Sequence, residues 1–523
     1  MRRDWGKRPA ILWGVAFALL LMLASGANAA DAGGQAEAAA PPAGRTLNLW
    51  PFYDQRDDPV DRVHVQSGLG PLLTFSQSPN DSVENRAFRP FFHWNTNTQP
   101  ERLEWEVVYP LMTYSRVEED SKFQFFELLN FRNEGTDPKA REDRYELFPV
   151  YLSGKTETGE KYLVLLPFGG WAPNAWWQDE AEFVLFPLYA RFVKQGARTY
   201  YFPWPILSVT TGEKRSGFRF VPLYGQDVKE GVFEKRFALW PLFIQQRTGL
   251  DGDDPEETLS ILPFYVSQRS KNVDRTTYVW PLFTHTVDRE HKFQQWDVAW
   301  PLVQIARGEG RTINRFLPLF SVEHRVVRQQ MFLREMQRDA QVVLFPLYIR
   351  TEDRFIGSRK VRNRILWWVY SDQWEEGQDG STRRIDAWPF FRYTRDRSGA
   401  IQFQTLALLE ALMPGNEKFE RNYSPIWALY TYRQNSAGDA VWSFLWNLIR
   451  HEETSAGRSI EVLGPLIGYR EREEEAHFSL LAGLFEIGKS HGTSSVRLFW
   501  NVTFSWTAPP QRVAVLDPRG GSR

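Results

Sequence analysis

The stretch Phe237-Ala238-Leu239-Trp240-Pro241-Leu242-Phe243-Ile244 decides how the rest of this sequence is interpreted, because variations of it recur along most of the chain. The clearest copies combine a large apolar residue, a proline and two further apolar residues: Phe186-Pro187-Leu188-Tyr189, Trp280-Pro281-Leu282-Phe283, Trp300-Pro301-Leu302-Val303, Leu317-Pro318-Leu319-Phe320, Phe345-Pro346-Leu347-Tyr348 and Trp388-Pro389-Phe390-Phe391. From Pro51 to Pro346 these prolines are mostly 17 to 22 residues apart. A fixed period of this kind indicates a protein built from one repeated unit.

Each unit has the composition of a β-strand. A central apolar segment is rich in Val, Ile, Phe, Tyr and Trp, and Gly, Asp, Asn and Lys bound it. The links are too short for crossovers, so successive strands should be antiparallel. The sequence therefore predicts an all-β fold, a large antiparallel up-and-down barrel or meander of about 24 strands built from repeats of ~20 residues. Strands of 10 to 14 residues at ~3.3 Å each would suit a tilted membrane-spanning strand with extensions.

The repeated proline is the main difficulty for this interpretation. A proline in mid-strand removes a donor from the hydrogen-bond ladder, so we expect a bulge or kink that all neighbouring strands share. The competing idea, a turn at each proline, would put Trp and Leu at about two dozen turn tips, which fits turn chemistry poorly. In a continuous strand the apolar residues fall on both faces: Ala238, Trp240, Leu242 and Ile244 on one, and Phe237, Leu239 and Phe243 on the other. Apolar residues on both faces predict burial on both faces.

The N-terminus has the pattern of a secretory signal peptide. Arg2, Arg3, Lys7 and Arg8 precede an apolar run at residues 11–23, and Ala27-Asn28-Ala29 is a small-residue cleavage site. We expect a signal peptide at 1–29, a disordered lead-in at 30–44, the repeat-built body at 45–506 and a disordered tail at 507–523. The Gln-, Met- and Arg-rich residues 327–338 are expected to form a short surface helix. Outside the leader, no apolar run is long enough for a membrane helix.

Composition excludes several kinds of partner and site. The formal net charge is −1, which gives no global attraction to nucleic acid. The chain has no Cys, which excludes disulfides and thiolate metal sites, and its 22 Trp suit a membrane interface or a β-core.

Catalytic, cofactor and metal motifs are weak throughout. Gly154-Lys155-Thr156 resembles the end of a phosphate loop, but Pro149 stands where the upstream glycine belongs. The eight His form no metal-binding pair, and the acidic residues 251–257 lack EF-hand spacing. The sequence predicts no catalytic residue, cofactor or metal site, and no enzyme activity.

Charged residues inside apolar segments are the strongest functional signal. They are Arg89, Glu127, Asp297, Asp386 and Glu410. A buried charge needs a partner or water, so we expect these side chains to face the interior and pair across strands, with Arg315 or Arg384 as candidate partners. Two roles remain open, a structural network and the lining of a pore or binding surface.

Taken together, residues 45–506 resemble the Gram-negative outer-membrane β-barrel proteins as a class. The shared features are a leader without a lipid-modified Cys, an even run of antiparallel strands, short links and abundant aromatics. The resemblance implies an outer-membrane location, contact with outer-membrane lipid and insertion by the barrel-assembly machinery. It implies a non-enzymatic channel or export component for a hydrophobic or polymeric solute. The alternative is a periplasmic or surface-exposed β-repeat scaffold that binds a partner.

Overall fold

The described part of the protein is a single antiparallel sheet. The computed structural model describes residues 47–79, 82–126, 128–135, 141–329, 334–473 and 475–507. Within them the chain runs up and down through one 46-stranded sheet, and it is 63% strand and 3% helical. This confirms the all-β, antiparallel, up-and-down prediction. The predicted leader and lead-in, Glu127, and the tail beyond Thr507 lie outside the described residues.

The first half of the sheet consists of short strands. They are β1 (Leu47–Leu49), β2 (Tyr53–Asp58), β3 (Val63–Gly68), β4 (Leu73–Gln77), β5 (Val83–Phe88), β6 (Phe92–Thr98), β7 (Glu101–Val107), β8 (Met112–Val117), β9 (Asp120–Phe125), β10 (Leu129–Glu134), β11 (Glu142–Leu147), β12 (Tyr151–Lys155), β13 (Lys161–Leu165), β14 (Gly169–Ala175), β15 (Gln178–Val184), β16 (Tyr189–Lys194), β17 (Ala197–Tyr201), β18 (Leu207–Thr211), β19 (Arg215–Phe220), β20 (Tyr224–Lys229), β21 (Phe233–Ala238), β22 (Phe243–Thr248) and β23 (Glu256–Ile261).

The second half continues in the same way. Its strands are β24 (Tyr265–Arg269), β25 (Val273–Tyr278), β26 (Phe283–Asp288), β27 (Phe293–Val298), β28 (Val303–Gly308), β29 (Arg311–Phe316), β30 (Phe320–Gln329), β31 (Arg334–Val343), β32 (Tyr348–Phe355), β33 (Ser358–Ile365), β34 (Tyr370–Gly377), β35 (Gly380–Ala387), β36 (Phe391–Arg395), β37 (Ile401–Thr405), β38 (Tyr430–Gln434), β39 (Ala440–Phe444), β40 (Ile449–Thr454), β41 (Gly457–Val462), β42 (Ile467–Arg472), β43 (Glu475–Leu480), β44 (Phe485–Ser490), β45 (Thr493–Leu498) and β46 (Val502–Thr507).

The predicted strand count of about 24 is wrong, because each repeat is a hairpin of two strands. Around the central motif, β21 ends at Ala238, a turn takes Leu239 to Leu242, and β22 starts at Phe243. The prolines mark turns, which is the arrangement that turn chemistry disfavoured. The strands are 3 to 10 residues long instead of the 10 to 14 expected. Most of the last segment, expected as one strand, is likewise the hairpin of β45 and β46, and Thr507 belongs to β46.

The geometry of the turn explains how proline fits. The Trp240–Pro241 peptide bond is cis, and the Leu242 N–H donates to the Leu239 carbonyl at 2.8 Å. A cis proline at the third position of a four-residue turn is the type VI arrangement. Proline has no N–H to lose there, and Leu239 occupies the left-handed region with φ 47°. The turn therefore uses proline without breaking a ladder.

Two predictions for the connections also need correction. The residues expected to form a surface helix near 327–338 belong, where they are described, to the hairpin of β30 and β31. The helix that does form, α1 (Glu417–Trp427), was expected to be strand or link. Asn416 caps it by accepting a hydrogen bond from the Phe419 N–H at 3.0 Å.

The sheet curves far enough to bring its first strands against strands from β38 to β41. Arg433 in β38 is ion-paired with Asp58 in β2, 375 residues earlier in the chain. Within the described residues β1 pairs only with β2 and β46 only with β45, so no backbone ladder closes the sheet into a barrel. Side-chain contacts between opposing layers join the two regions instead.

The apolar core is small and lies on the concave side of the sheet. It groups Leu152, Tyr162, Val164, Ala172, Ala175, Ala181, Phe183 and Ala190. In β15 and β16, Phe183 lies opposite Ala190 and Ala181 lies opposite Phe192, so rings pack beside small residues. Alternating large and small side chains let neighbouring strands curve tightly while the concave face stays filled.

Candidate functional site

The two faces of the sheet differ in chemistry in a way that only the strand register reveals. From β25 to β30, one row of opposed residues is Thr277, Thr284, Asp297, Gln304, Arg315 and Ser321. The adjacent row on the other face is Tyr278, Phe283, Val298, Val303, Phe316 and Phe320. We call these the polar face and the aromatic face. The predicted burial on both faces is therefore wrong here. The turn at each proline reverses the chain, so the residues before and after it belong to two strands and do not alternate along one.

In the strands from β25 to β30, burial is inverted relative to a water-soluble protein. On the polar face, Thr277, Asp297, Gln304 and Ser321 are 1 to 7% exposed. On the aromatic face, Tyr278, Phe283, Val298, Phe316 and Phe320 are 39 to 56% exposed. The same aromatic-face row continues near the end of the chain through Ile449, Val462, Ile467, Leu480, Phe485, Leu498 and Val502. Polar groups on the concave side and large apolar groups on the convex side are the pattern of a lipid-facing β-structure.

The turns at one end of the strands form an apolar rim, which we define as the turns that follow the odd-numbered strands. The repeat residues Trp240, Pro241, Trp280, Pro281, Trp300, Pro301, Pro346, Trp388 and Pro389 all lie in these turns. Exposed rim residues include Phe52, Phe168, Leu188, Leu239, Trp240, Leu242, Trp280, Trp300, Leu302, Leu319, Phe390 and Trp500. A contiguous exposed apolar surface of this extent marks an interaction site.

The backbone N–H groups of the central turn are paired within the protein. Besides its own turn bond, the central turn donates hydrogen bonds to its neighbour: the Leu239 N–H donates to the Leu223 carbonyl at 2.7 Å, and the Trp240 N–H to the Pro222 carbonyl at 2.6 Å. Indole groups also donate to carbonyls, as Trp388 does to Leu408 at 2.8 Å. Internal pairing of backbone groups is the condition for placing a segment in a hydrocarbon environment.

The turns at the other end of the strands, which follow the even-numbered strands, are polar, and we call them the polar edge. Its turns are built from residues such as Glu230-Gly231, Gly249 to Pro255, and Arg289 to Lys292. Asp254, in the acidic stretch considered for Ca²⁺, instead accepts hydrogen bonds from the Lys271 N–H at 2.6 Å and the Ser270 hydroxyl at 3.1 Å. The sheet is thus amphipathic along its strands, from the apolar rim to the polar edge, as well as from face to face.

A charged seam joins the first strands of the sheet to α1 and to strands from β38 to β41. We define the seam as the contacts of β2 and β7 with α1, β38, β40 and β41. Arg56 of β2 is ion-paired with Glu461 at 3.2 Å and with Glu452 at 3.7 Å. Arg450 of β40 approaches Asp58 to 3.7 Å. Each of these residues belongs to the polar face, so the polar face is the concave one.

Helix α1 forms the second half of the seam. Glu106 of β7 is 1% exposed and accepts hydrogen bonds from Asn422 at 2.5 Å and from Arg421 at 3.1 Å. On its other side the helix reaches β35 and β36, where Glu420 pairs with Arg384 at 3.0 Å and with Arg392 at 2.6 Å. The helix therefore bridges two parts of the sheet with charge-assisted bonds.

Burial perturbs one titratable group in the seam, Asp58, and one beside it in β6, His93. Burial alone raises the pKa of Asp58, but the charges of Arg433 and Arg450 outweigh it and hold that pKa at about 2. Burial, reinforced by the charges of Arg421 and Arg89, lowers the pKa of His93 to about 3. Asp58 is therefore ionised and His93 neutral at physiological pH.

Two of the predicted interior charges lie on the polar face next to the rim. The Asp297 carboxylate accepts hydrogen bonds from Gln304 at 2.7 Å and from Gln295 at 2.8 Å. Asp386 pairs with the candidate partner Arg384 at 2.8 Å, but along the same strand, β35, and not across strands as predicted. Arg315 pairs with Glu323 instead of with a predicted charge.

The other predicted charges lie at the α1 end of the rim. Glu410 is 0% exposed and accepts hydrogen bonds from the Trp427 indole, the Gln404 amide and the Leu409 N–H, each at 3.0 Å. Arg89 donates to the Arg421 carbonyl at 3.1 Å. These two residues belong to the structural surroundings of α1, while Glu127 lies outside the described residues.

Sequence reasoning missed the seam residues. Asp58, Glu106, Arg433 and Arg450 stand in ordinary polar segments, and nothing local distinguishes them from solvated charges. A signal for α1 was available, because Asn416 precedes Glu417 and Glu420, the pattern of a capped helix start with acidic residues in the first turn.

Metal clusters, membrane helices and related proteins give no further information about the function. The described residues contain no cluster of His, Asp or Glu that could hold a metal ion. None of the helices among them is both long and apolar enough to cross a membrane. The sequence matches no known family model and no curated protein, so the faces, the rim and the seam carry the functional argument by themselves.

Proposed function

We propose that this protein is a non-enzymatic component of the outer membrane, seated in lipid by its apolar rim, whose concave polar face forms a path for a polymeric solute. The inverted burial of the two faces carries the proposal. A soluble protein would bury Phe283 and Phe316 and expose Asp297 and Gln304, and this chain does the reverse. Of the two solute classes considered, a polymer with polar groups suits a face lined by Thr, Gln, Asp and Arg.

The depth of insertion follows from the length of the apolar band. The rim turns and the first one or two rows of the aromatic face reach roughly 10 to 15 Å along the strand direction. One leaflet has about half of the ~30 Å hydrocarbon thickness of a bilayer. We therefore propose that the rim enters one leaflet, with the polar edge in water.

The alternative function is a periplasmic or surface-exposed β-repeat scaffold, and strand length favours it. Most strands have five or six residues, as in β21 and β22. A membrane-crossing strand needs about 9 to 11. In this alternative the rim would dock on a protein partner.

Vesicle flotation separates the two functions. Purified protein is mixed with vesicles of neutral and anionic phospholipid, and the bound fraction is measured after centrifugation. We expect binding with blue-shifted tryptophan fluorescence. Because a carboxylate in hydrocarbon costs about 2 to 3 kcal/mol, the rim variant Leu242→Asp/Leu302→Asp should bind at least about tenfold more weakly.

The matched control places the same change at the opposite edge. Trp177 and Ile356 are 91% and 79% exposed in polar-edge turns, so Trp177→Asp/Ile356→Asp should leave vesicle binding unchanged. Failure of the native protein to bind vesicles, together with recovery in the soluble fraction of cells, would overturn the membrane role and favour the scaffold. Because a rim that enters one leaflet opens no channel across the bilayer, binding of a polar polymer to the vesicle-bound protein then distinguishes a path for solute from a seated scaffold.

A further inference from the structure

The polar face contains a cationic cavity between β30 and β34. Its volume is about 640 Å³, and its basic residues are Arg325, Arg338, Lys360, Arg362 and Arg364. Three acidic residues, Glu323, Asp353 and Glu375, line it as well. The cavity therefore holds five basic and three acidic side chains.

Each of the three acidic side chains is already ion-paired with a basic one. Arg325 pairs with Glu323 at 2.9 Å, Arg338 with Asp353 at 2.6 Å, and Lys360 with Glu375 at 3.8 Å. Two guanidinium groups remain on β33, two residues apart and on the same face.

These two arginines are Arg362 and Arg364. The Arg362 Nε donates to the neutral Gln373 side chain at 2.6 Å, and neither arginine is ion-paired within the described part of the chain. Burial and the adjacent Arg364 charge lower the pKa of Arg362. An anion between them would remove this unfavourable electrostatic interaction.

Two hydrogen-bond donors on the neighbouring strands β29 and β30 also support an anion site. The Nε atoms of Arg311 and Arg325 are buried and make no hydrogen bond within the described residues. Arg325 lines the cavity, and Arg311 lies opposite it in the ladder. Buried donors are normally satisfied, so these two atoms are a second observation in favour of a missing anionic partner. Guanidinium groups bind carboxylate, sulfate and phosphate oxygens in bidentate geometry.

We propose that Arg362 and Arg364 form a binding site for the anionic groups of an acidic polymeric solute, such as a polysaccharide bearing carboxylate or sulfate groups. This inference rests on the proposed function, because it names the solute class for the concave face. A lipid headgroup is the weaker candidate, since the site lies on the polar face while lipid would contact the aromatic face.

The test measures binding of dextran sulfate by the full chain, with neutral dextran of equal length as the reference polymer. We expect dextran sulfate alone to bind, and Arg362→Gln/Arg364→Gln to weaken binding by about tenfold or more. The control Arg236→Gln/Arg395→Gln removes two exposed arginines from the aromatic face and should change binding less than twofold. Equal weakening by the two variants would show unspecific charge attraction and overturn the site.

A second variant guards against misfolding. Arg362→Lys/Arg364→Lys keeps both charges but loses the bidentate fork, so binding should fall to an intermediate value. Protein that binds vesicles but not dextran sulfate overturns this inference and leaves the membrane role. Protein that binds dextran sulfate through Arg362 and Arg364 but not vesicles overturns the membrane role and leaves the site.

Discussion

Arg433 and Asp58 form an ion pair on the concave side of the sheet although 375 residues separate them. Their pairing shows how the first strands are held against strands near β38, by ion pairs between opposing layers in place of a closing ladder. Asp58 is 5% exposed, and Arg450 lies 3.7 Å away on the same side. Removing the shared carboxylate would leave the buried Arg450 and the part-exposed Arg433 facing each other, with only Glu452 and Asp61 as their remaining acidic partners in the described part of the chain.

The first prediction concerns that carboxylate. Asp58→Asn should lower the free energy of unfolding by about 3 kcal/mol, because breaking a buried pair leaves uncompensated charge. Asp57→Asn is the control, since the Asp57 side chain is 58% exposed and its loss should cost less than about 0.5 kcal/mol. Urea unfolding followed by tryptophan fluorescence measures both. Similar losses in the two variants would mean that the seam contributes little.

The second prediction concerns acid sensitivity through His93. Because the fold lowers the pKa of His93 to about 3, the unfolded chain binds a proton below its ordinary pKa of about 6.5 and the folded chain does not. Stability should therefore be complete above pH 6.5 and fall toward pH 3, by up to about 1.4 kcal/mol per pH unit. Asp58 extends the loss to lower pH, between its ordinary pKa and about 2.

Unfolding midpoints at pH 7 and pH 5 test this dependence. His93→Gln should flatten the change between these two values, whereas His491→Gln, at an exposed histidine, should leave it intact. An unaltered pH dependence in His93→Gln would exclude this histidine as the cause.

The third prediction concerns the concave apolar core. Phe183 is 5% exposed, and its ring contacts those of Trp176, Phe186 and Phe192. Phe183→Ala should cost about 3 kcal/mol, because a buried aromatic leaves a cavity. Phe218→Ala, at an exposed position of the aromatic face, should change stability in aqueous buffer far less. Equal costs would contradict the assignment of Phe183 to the core.

The fourth prediction concerns the close approach of β28 to β27. A Cβ at Gly308 would lie 2.3 Å from the Lys292 carbonyl oxygen and 2.4 Å from the Phe293 Cα, both backbone atoms. Gly308→Ala should therefore destabilise the protein by about 2 kcal/mol. Gly252→Ala, where the nearest atom would be 3.6 Å away, should be nearly neutral. Thermal unfolding of the two variants decides the matter.

Several features of the fold followed from the sequence because they depend on local periodicity. The repeat around Trp240-Pro241, the strand composition and the short links indicate an antiparallel up-and-down sheet, and the structure has one. Asp297 and Asp386 stood out as charges beside apolar motifs, although Asp386 meets its candidate partner Arg384 along one strand and not across two. These inferences need only neighbouring residues, whose spacing the sequence states directly.

Only the tertiary structure decided the placement of the prolines, the seam and the cationic cavity. A turn with Trp240 and Leu242 at its tip is unfavourable in water, so local turn chemistry argued against it, and register across 46 strands was needed to reveal an apolar rim. Asp58 and Arg433, like the cavity residues from β30 to β34, meet because the whole sheet curves or pairs between them. Curvature is a sum of small twists over many strands, and no stretch of sequence records that sum.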